Sequence, residues 1–378
     1  MSKLSTNPKD YELLVDSPGR INIIGEHTDY NNGFVLPTAI DKKIRFMFKK
    51  NGSDTVCNLY SANFDTSYTF SLEDVSPGDQ QWANYILGVI HGVQQHTDKL
   101  RGFDCVLDSN IPVGSGISSS AALECGLGFG VNELFDCGLD RITITKIGQK
   151  AEHDYVGTKC GIMDQFASVM SKEGNVILLD CQSLEYKYVP IHIKPYKILL
   201  LNTNVSHNLA DGEYNKRRAQ CESGVAIIQS KYSNVNSLRD VSPEMLAEFK
   251  NEMDDVVYNR CSYVVDEKVR VLDTVEALNN NDLARMGKNM YKTHEGLSKL
   301  YEVSCPELDF LVEFSKGYNE VIGSRVMGGG FGGCTINIIH EDAVEKFTKE
   351  AEKAYFEKFN IKLTAFEANP SEGTSIVK

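Results

Sequence analysis

The sequence predicts an α+β fold in two domains, and three observations carry that expectation. Strand-like and helix-like runs are mixed along the chain without the regular strand–helix alternation of a doubly wound sheet. The chain has 378 residues, 42% of them hydrophobic, which is more than a single core usually gathers. The pattern also changes character near 185–195, where a near-continuous apolar strand gives way to a long helix-rich region. The expected domains are residues 1–188 and 189–378.

Taken in order, "PGRINIIGEH" and "GFVLPTAI" read as two short strands around a polar turn, "TDYNNG". "WANYILGVIHGV" puts Trp82, Tyr85, Ile86, Val89, Ile90 and Val93 on one helical face. "FDCVLDSNIPVGSG" is a strand running into a glycine-rich loop, and "SSAALECGLGFGVNEL" is the helix that follows. "ITKIGQKAEHDYVG" is a helix burying Ile144, Ile147, Ala151 and Tyr155. "CGIMDQFASVM" begins another, with Ile162, Met163, Phe166 and Val169 as its apolar positions. "NVILLD" and "YKILLLNTNV" are strands, and helices dominate from about residue 215 to 316. "VIGSRVM" and "CTINIIH" are strands flanking a glycine cluster; the helix "AVEKFTKEAEKAYFEKF" and the strand "KLTAFEA" follow.

The formal net charge is −13, which argues against a nucleic-acid partner or an anionic membrane surface. Such a chain can still bind ATP through a local cation and backbone amides. The first residues lack the apolar core of a signal peptide, and no apolar run approaches ~18 residues, so a soluble, cytoplasmic protein is expected. Ten cysteines without a Cys-x-x-Cys pair read as buried, reduced thiols. His91 and His96 are five apart, not the one-turn spacing of a helical metal pair, and no metal site built from His or Cys is expected.

Four segments carry chemistry. "GRINIIGEHTDYNNGFVLP" concentrates Arg20, Glu26, His27 and Asp29 between apolar strands, where each would need its own partner if buried. A solvated hairpin accounts for Asn32-Gly33; a polyol ligand accounts better for the charged groups, which can match an array of hydroxyls. "VGSGISSSAAL" is either a serine-capped helix after a glycine turn or a phosphate site, its hydroxyls and unpaired amides facing an anion or Mg²⁺. "VMGGGFGGCTI" fits G-x-G-x-x-G at Gly328, Gly330 and Gly333, but a strand follows where the dinucleotide fingerprint needs a helix. It is then a flexible bridge, or a surface packed closely on a ligand or on the second segment. "AEHDYVGTKCGIMDQ" brings Glu152 and Asp164 near one glycine-lined turn, one carboxylate suited to a metal and one to a substrate hydroxyl; Asp164 could equally be a helix cap.

Together these segments resemble the GHMP kinases, whose phosphate loop P-x-x-x-G-[LI]-S-S-S-A stands here as Pro112 to Ala121. Within them, Gly19 to Tyr30 is similar to the galactokinase signature G-R-x-N-x-I-G-E-H-T-D-Y without a mismatch. "CGIMDQ" and the glycine cluster also match, in order, over roughly residues 12–375. The resemblance implies an N-terminal ribosomal-S5-domain-2-like domain, a C-terminal ferredoxin-like domain and an active site between them. It implies transfer of the ATP γ-phosphoryl group to the anomeric hydroxyl of α-D-galactose.

Site roles follow from the resemblance position by position. Asp164 matches the catalytic aspartate and Arg20 the arginine beside it. Glu26, His27, Thr28 and Asp29 match the sugar signature, Gly161 a backbone contact, and Tyr214 a tyrosine against the sugar. Gly114, Ser115, Gly116, Ile117, Ser118, Ser119 and Ser120 form the phosphate loop, with Ser118 and Ser119 expected at phosphate oxygens. Ser120 and Glu152 match the Mg²⁺ positions, and Trp82 and Tyr85 the aromatics near adenine, although an amphipathic core helix would look the same. Galactose and ATP are the expected partners, and the chain is expected to be a monomer or weak oligomer. The alternatives are an N-acetylgalactosamine kinase, which carries isoleucine where this chain has Thr28, and a catalytically silent galactose sensor. No motif beyond Tyr214 is legible in the helix-rich segment.

Overall fold

Strand β1 (Leu13–Asn22) leads directly to Arg20, and the sheet around it fixes where that side chain points. β2 (Phe34–Val35) and β3 (Pro37–Lys50) follow, and β3 lies antiparallel to β1 with Val15 opposite Phe46. β4 (Val56–Ser61), β5 (Thr66–Ser71) and β6 (Phe103–Ser109) extend the sheet, with β6 against β3 and parallel to β4. The computed structural model describes residues 3–206 and 210–377.

Of helices α1 (Gln81–Gln94), α2 (Ser119–Leu134), α3 (Arg141–Ala151) and α4 (Met163–Met170), α2 and α4 pack on β1 and β3, while α1 and α3 pack against α2. α2 comes unusually close to the sheet. A Cβ on Gly126 or Gly130 would lie 2.1 Å or 2.0 Å from the rings of Phe46 and Phe48, so glycine is what lets the helix settle on β3. Both rings are fully buried, worth about 1.5–3 kcal/mol each relative to exposure. This packing aims the N-terminus of α2 at Arg20. β7 (Asn175–Asp180) and β8 (Tyr186–Pro190) make a small antiparallel sheet with β2, which anchors the chain just after the polar turn.

The second half is built on β9 (Tyr196–Ser206). Its apolar run is continuous because both faces are covered. Ile198 and Leu200 enter the main core, while Leu199 and Leu201 face Phe347, Ala351 and Tyr355. Helices α5 (Ala210–Gln229), α6 (Pro243–Glu248), α7 (Asp255–Asn279), α8 (Leu283–Lys299) and α9 (Pro306–Ser315) come next. β10 (Val321–Val326), β11 (Gly332–His340), α10 (Val344–Phe359) and β12 (Thr364–Ala368) complete an antiparallel sheet ordered β12-β9-β11-β10. That is the 4-1-3-2 order of a ferredoxin-like βαββαβ unit, with the helical segment inserted in its first crossover. The last strand, β13 (Ser375–Ile376), returns to pair with β1. Among the described residues no helix is long and apolar enough to cross a membrane.

The polar turn differs from the simple hairpin expected. β1 ends at Asn22, so Glu26 and His27 do not lie on a strand; they sit in a turn that passes into a short 3₁₀ segment, Asp29–Asn31. Two α7 side chains hold this turn. Buried Glu267 accepts from the Gly25 amide at 2.9 Å, and the Tyr263 hydroxyl donates to the Glu26 carbonyl at 2.9 Å. The helix-rich segment therefore supports the first motif directly.

Candidate active site

Three of the four segments meet at one guanidinium. Arg20 donates through Nε and Nη2 to the two oxygens of Asp164, both at 2.7 Å, and through Nη1 to the Gly116 carbonyl at 2.7 Å. Its backbone amide donates to the Ile117 carbonyl at 3.0 Å. The fork geometry suits a planar carboxylate, so the loop and the aspartate are held in one register. The Arg20 side chain is 5% exposed and that of Asp164 27% exposed, which leaves the carboxylate open to a reactant.

The Ser118 hydroxyl also bonds Asp164. Ser118 stands at the N-cap of α2 with φ 58° and makes no side-chain cap. The Ser118 hydroxyl therefore leaves the first amides of α2 uncapped, a ready site for an anion. The glycine cluster closes the other side: a Cβ on Gly328 would lie 3.1 Å from the Gly116 carbonyl, and one on Gly333 3.7 Å from the Gly116 Cα. Of the two readings left open for the cluster, packing on the loop of the second segment is what is observed. The cluster links antiparallel strands β10 and β11, so the dinucleotide pattern is coincidental.

Asp29 lies next to Asp164, under Gly161. A Cβ on Gly161 would sit 2.0 Å from Asp29 Oδ2, so this position requires glycine. Burial, then the neighbouring Asp164 charge, push the Asp29 carboxyl up to about 7, against the Tyr30 and Met163 amides. His27 has φ 62° and is pushed down to about 4, chiefly by burial. Tyr214 is half-buried beside His27 and Tyr30, with ring centroids 5.4 Å and 5.2 Å away. On the opposite side of Asp164, Glu152 opens a π-turn after α3 and lies within hydrogen-bonding reach of the Ser120 hydroxyl. Burial raises Glu152 to about 7, with Ser120 opposing and Asp164 adding to the rise.

Comparison with known proteins gives the chain its family. Residues 5–50 match the galactokinase galactose-binding signature, residues 84–172 the GHMP kinases N terminal domain, and residues 274–358 the GHMP kinases C terminal domain. The galactokinase of Thermosipho africanus is 42% identical over 97% of this chain and 100% of the relative. That of Clostridium acetobutylicum is 40% identical over 97% and 95%. The chain belongs to the galactokinase family. The crystal structure of Lactococcus lactis galactokinase complexed with galactose superposes with a TM-score of 0.93 at 33% identity, covering 96% of this chain and 94% of that one. A mevalonate kinase, at 20% identity and a TM-score of 0.63, shares the GHMP fold.

Within this galactokinase-family chain, the structure gathers Arg20, Asp164, Asp29, Gly161, His27, Tyr214, Ser118, Ser120 and Glu152 into one neighbourhood around Asp164. Four of the expected residues, Thr28, Ser115, Ile117 and Ser118, spend their side chains within the protein and keep only their backbone for a ligand. The Thr28 hydroxyl is fully enclosed and shared between the Gly25 and Phe34 carbonyls at 2.8 Å and 2.6 Å, so it shapes the turn. Ser115 bonds the Pro112 carbonyl at 2.7 Å, and Ile117 packs into the core. Ser118 turns its hydroxyl to Asp164, and Ser119 stands exposed at the first turn of α2. Gly114 is open on the loop surface, and Trp82 and Tyr85 are half-buried on α1, with Trp82 edge-on to Tyr68 at 5.6 Å.

Glu26 brings in a residue that sequence reasoning missed. Its Oε1 accepts from Arg325 at 3.0 Å and from the Gly328 amide at 2.9 Å, and Oε2 accepts from Asn22 at 3.1 Å. Burial opposes ionisation of Glu26, but Arg325, Arg20 and the Gly328 amide outweigh it and hold the carboxyl below its usual range. An arginine inside the apolar run "VIGSRVM" was the available signal, because such a residue must find a buried anion.

Proposed function

We propose that this galactokinase binds α-D-galactose between the Glu26–Asp29 turn, Gly161 and Tyr214, with the anomeric hydroxyl at Asp164 and the ATP phosphates on the Gly114–Ser120 loop. The observation that carries this is the Arg20 fork, which ties the candidate base to the loop that receives the phosphates. The acceptor hydroxyl gives its proton to Asp164 as its oxygen bonds the γ-phosphorus. The bond from phosphorus to the β-phosphate oxygen breaks, leaving galactose 1-phosphate and ADP. Arg20 balances charge on the transferring group, and Ser118 holds the carboxylate in line. The proton passes late in a loose transition state, so Asp164 acts chiefly by orienting the hydroxyl.

No Walker-type lysine is present in the loop, so amides, hydroxyls and a divalent cation must hold the phosphates. A buried carboxylate facing a serine hydroxyl, as Glu152 faces Ser120, fits Mg²⁺, a hard ion that prefers oxygen ligands. Mg²⁺ held there would neutralise charge on the β- and γ-phosphates. Trp82 and Tyr85 flank the adenine in this reading. ATP use and ten free thiols favour the cytoplasm as its compartment. ADP release measured over galactose, N-acetylgalactosamine, glucose, galactosamine, arabinose and mevalonate tests the proposal. Turnover should be highest with galactose; a preference for N-acetylgalactosamine, or no turnover at all, overturns it.

A further inference from the structure

His27 is 3% exposed, and its ring ends a chain of hydrogen bonds that reaches into the C-terminal half. Nδ1 meets the Tyr30 hydroxyl at 2.8 Å, that hydroxyl meets the Tyr301 hydroxyl at 2.7 Å, and Tyr301 meets Cys221 Sγ at 3.2 Å. Tyr301 and Cys221 are fully buried. The other ring nitrogen, Nε2, is enclosed and closes no well-formed hydrogen bond among the described residues; the Gly329 carbonyl comes near enough to favour a proton on the ring. Nothing in the mechanism above uses Tyr301 or Cys221.

We propose that Tyr301 is a positioning residue for the sugar site: through Tyr30 it fixes His27 as the tautomer that accepts at Nδ1 and carries its proton on Nε2, where it donates to a sugar oxygen. This rests on the galactose reading above. Each member of the chain is neutral and has one proton to give, so the chain can point only one of two ways. Burial keeps Cys221 a thiol, pushing it up to about 11, and keeps both phenols protonated.

Two observations bear on the direction. The Asn31 side-chain amide donates to the His27 carbonyl at 2.9 Å and also reaches the Cys221 sulfur. With the Asn31 amide already beside it, the sulfur can give its own proton to Tyr301, and the imidazole end decides the direction. At the far end, a phenol O–H donating to an imidazole nitrogen is a stronger bond than imidazole N–H donating to a phenol oxygen. Cys221 to Tyr301 to Tyr30 to Nδ1 is the favoured order, and Nε2 is left holding a hydrogen with only the poorly placed Gly329 carbonyl near it. A buried donor of this kind is unfavourable until a ligand oxygen meets it, and it rejects ligands that lack that oxygen.

The test is Tyr301→Phe in the full chain, which removes one hydroxyl and keeps the ring. Nitrogen-15 NMR of labelled histidine, without sugar, should show His27 protonated on Nε2 in the parent and a mixture of tautomers in the variant. Calorimetry should show galactose binding about tenfold weaker, with ATP affinity within about twofold. An unchanged melting temperature would separate positioning from general loss of stability. Should Tyr301→Phe fold poorly, Tyr30→Phe cuts the chain at its half-buried link and takes the same readouts. A parent protonated on Nδ1, or a variant retaining galactose affinity within about twofold, overturns the proposal. A parent that binds no galactose removes the sugar reading, whereas the tautomer measurement still decides the relay.

Discussion

Arg325 and Glu26 form an ion pair sealed from water, Nη1 to Oε1 at 3.0 Å, with side chains 0% and 1% exposed. Arg325 also donates to the Ile23 carbonyl at 2.8 Å, so one guanidinium joins β10 to the turn that carries the sugar signature. Arg325→Met should destabilise the chain by about 3–5 kcal/mol, because Glu26 is left charged and unpaired. Denaturant unfolding measures this. A loss below about 1 kcal/mol would mean that Asn22 and the Gly328 amide suffice for Glu26.

Asp164→Asn keeps the size of the side chain but removes its ability to take a proton and its charge for Arg20. Turnover should fall by at least about a hundredfold, while galactose affinity by calorimetry changes little. Near-normal turnover would remove Asp164 from the site of proton transfer.

Asp29, raised to about 7 chiefly by burial, gives a pH dependence with a definite sign. Galactose affinity should rise between about pH 6 and about pH 8 as the carboxylate becomes a full acceptor. Stability moves the other way. Between about pH 4 and about pH 7 the unfolded chain has released this proton while the folded chain keeps it, so the residue's contribution falls as pH rises. Asp29→Asn should therefore melt higher than the parent at about pH 8 yet bind galactose more weakly. An Asn variant that melts lower there would show that the carboxylate is stabilised in the fold.

Gly161→Ala forces a methyl group to within 2.0 Å of Asp29 Oδ2 unless the turn shifts. Because the same turn leads into Asp164, the variant should raise the galactose KM by about tenfold or more. The ATP KM should change far less, and steady-state kinetics with each substrate varied in turn separates the two.

Ser120→Ala removes the hydroxyl that faces Glu152, so the Mg²⁺ concentration for half-maximal rate should rise by about tenfold. An unchanged Mg²⁺ requirement would move the cation away from this pair.

What the sequence discloses divides along physical lines. Local patterning located the glycine-rich loop before α2, the two strands around the glycine cluster and the Asp164 helix, because period and turn chemistry act over a few residues; a phosphate role for the loop came only from the resemblance. The Arg20–Asp164 pairing was expected only through family resemblance, since 144 positions separate the partners. Support from Glu267, Tyr263 and Tyr301 was illegible: their segment reads as ordinary amphipathic helix, and their polar atoms acquire meaning only when the turn folds against them. Thr28 and Ser118 show the converse limit. Both are correctly typed for ligand binding, and both spend their hydroxyls on the protein.

Strand β13 pairs with β1 through Val15 with Ile376 and Asp16 with Ser375, and residues 369–371 bond back to Ala39 and Asp41. During synthesis, therefore, the strand that carries Arg20 emerges from the ribosome hundreds of residues before its outer neighbour exists. Until then it presents an open edge to any other extended chain in the crowded cell. Trimming residues 369–377 should therefore cause aggregation during expression more than it slows the finished enzyme.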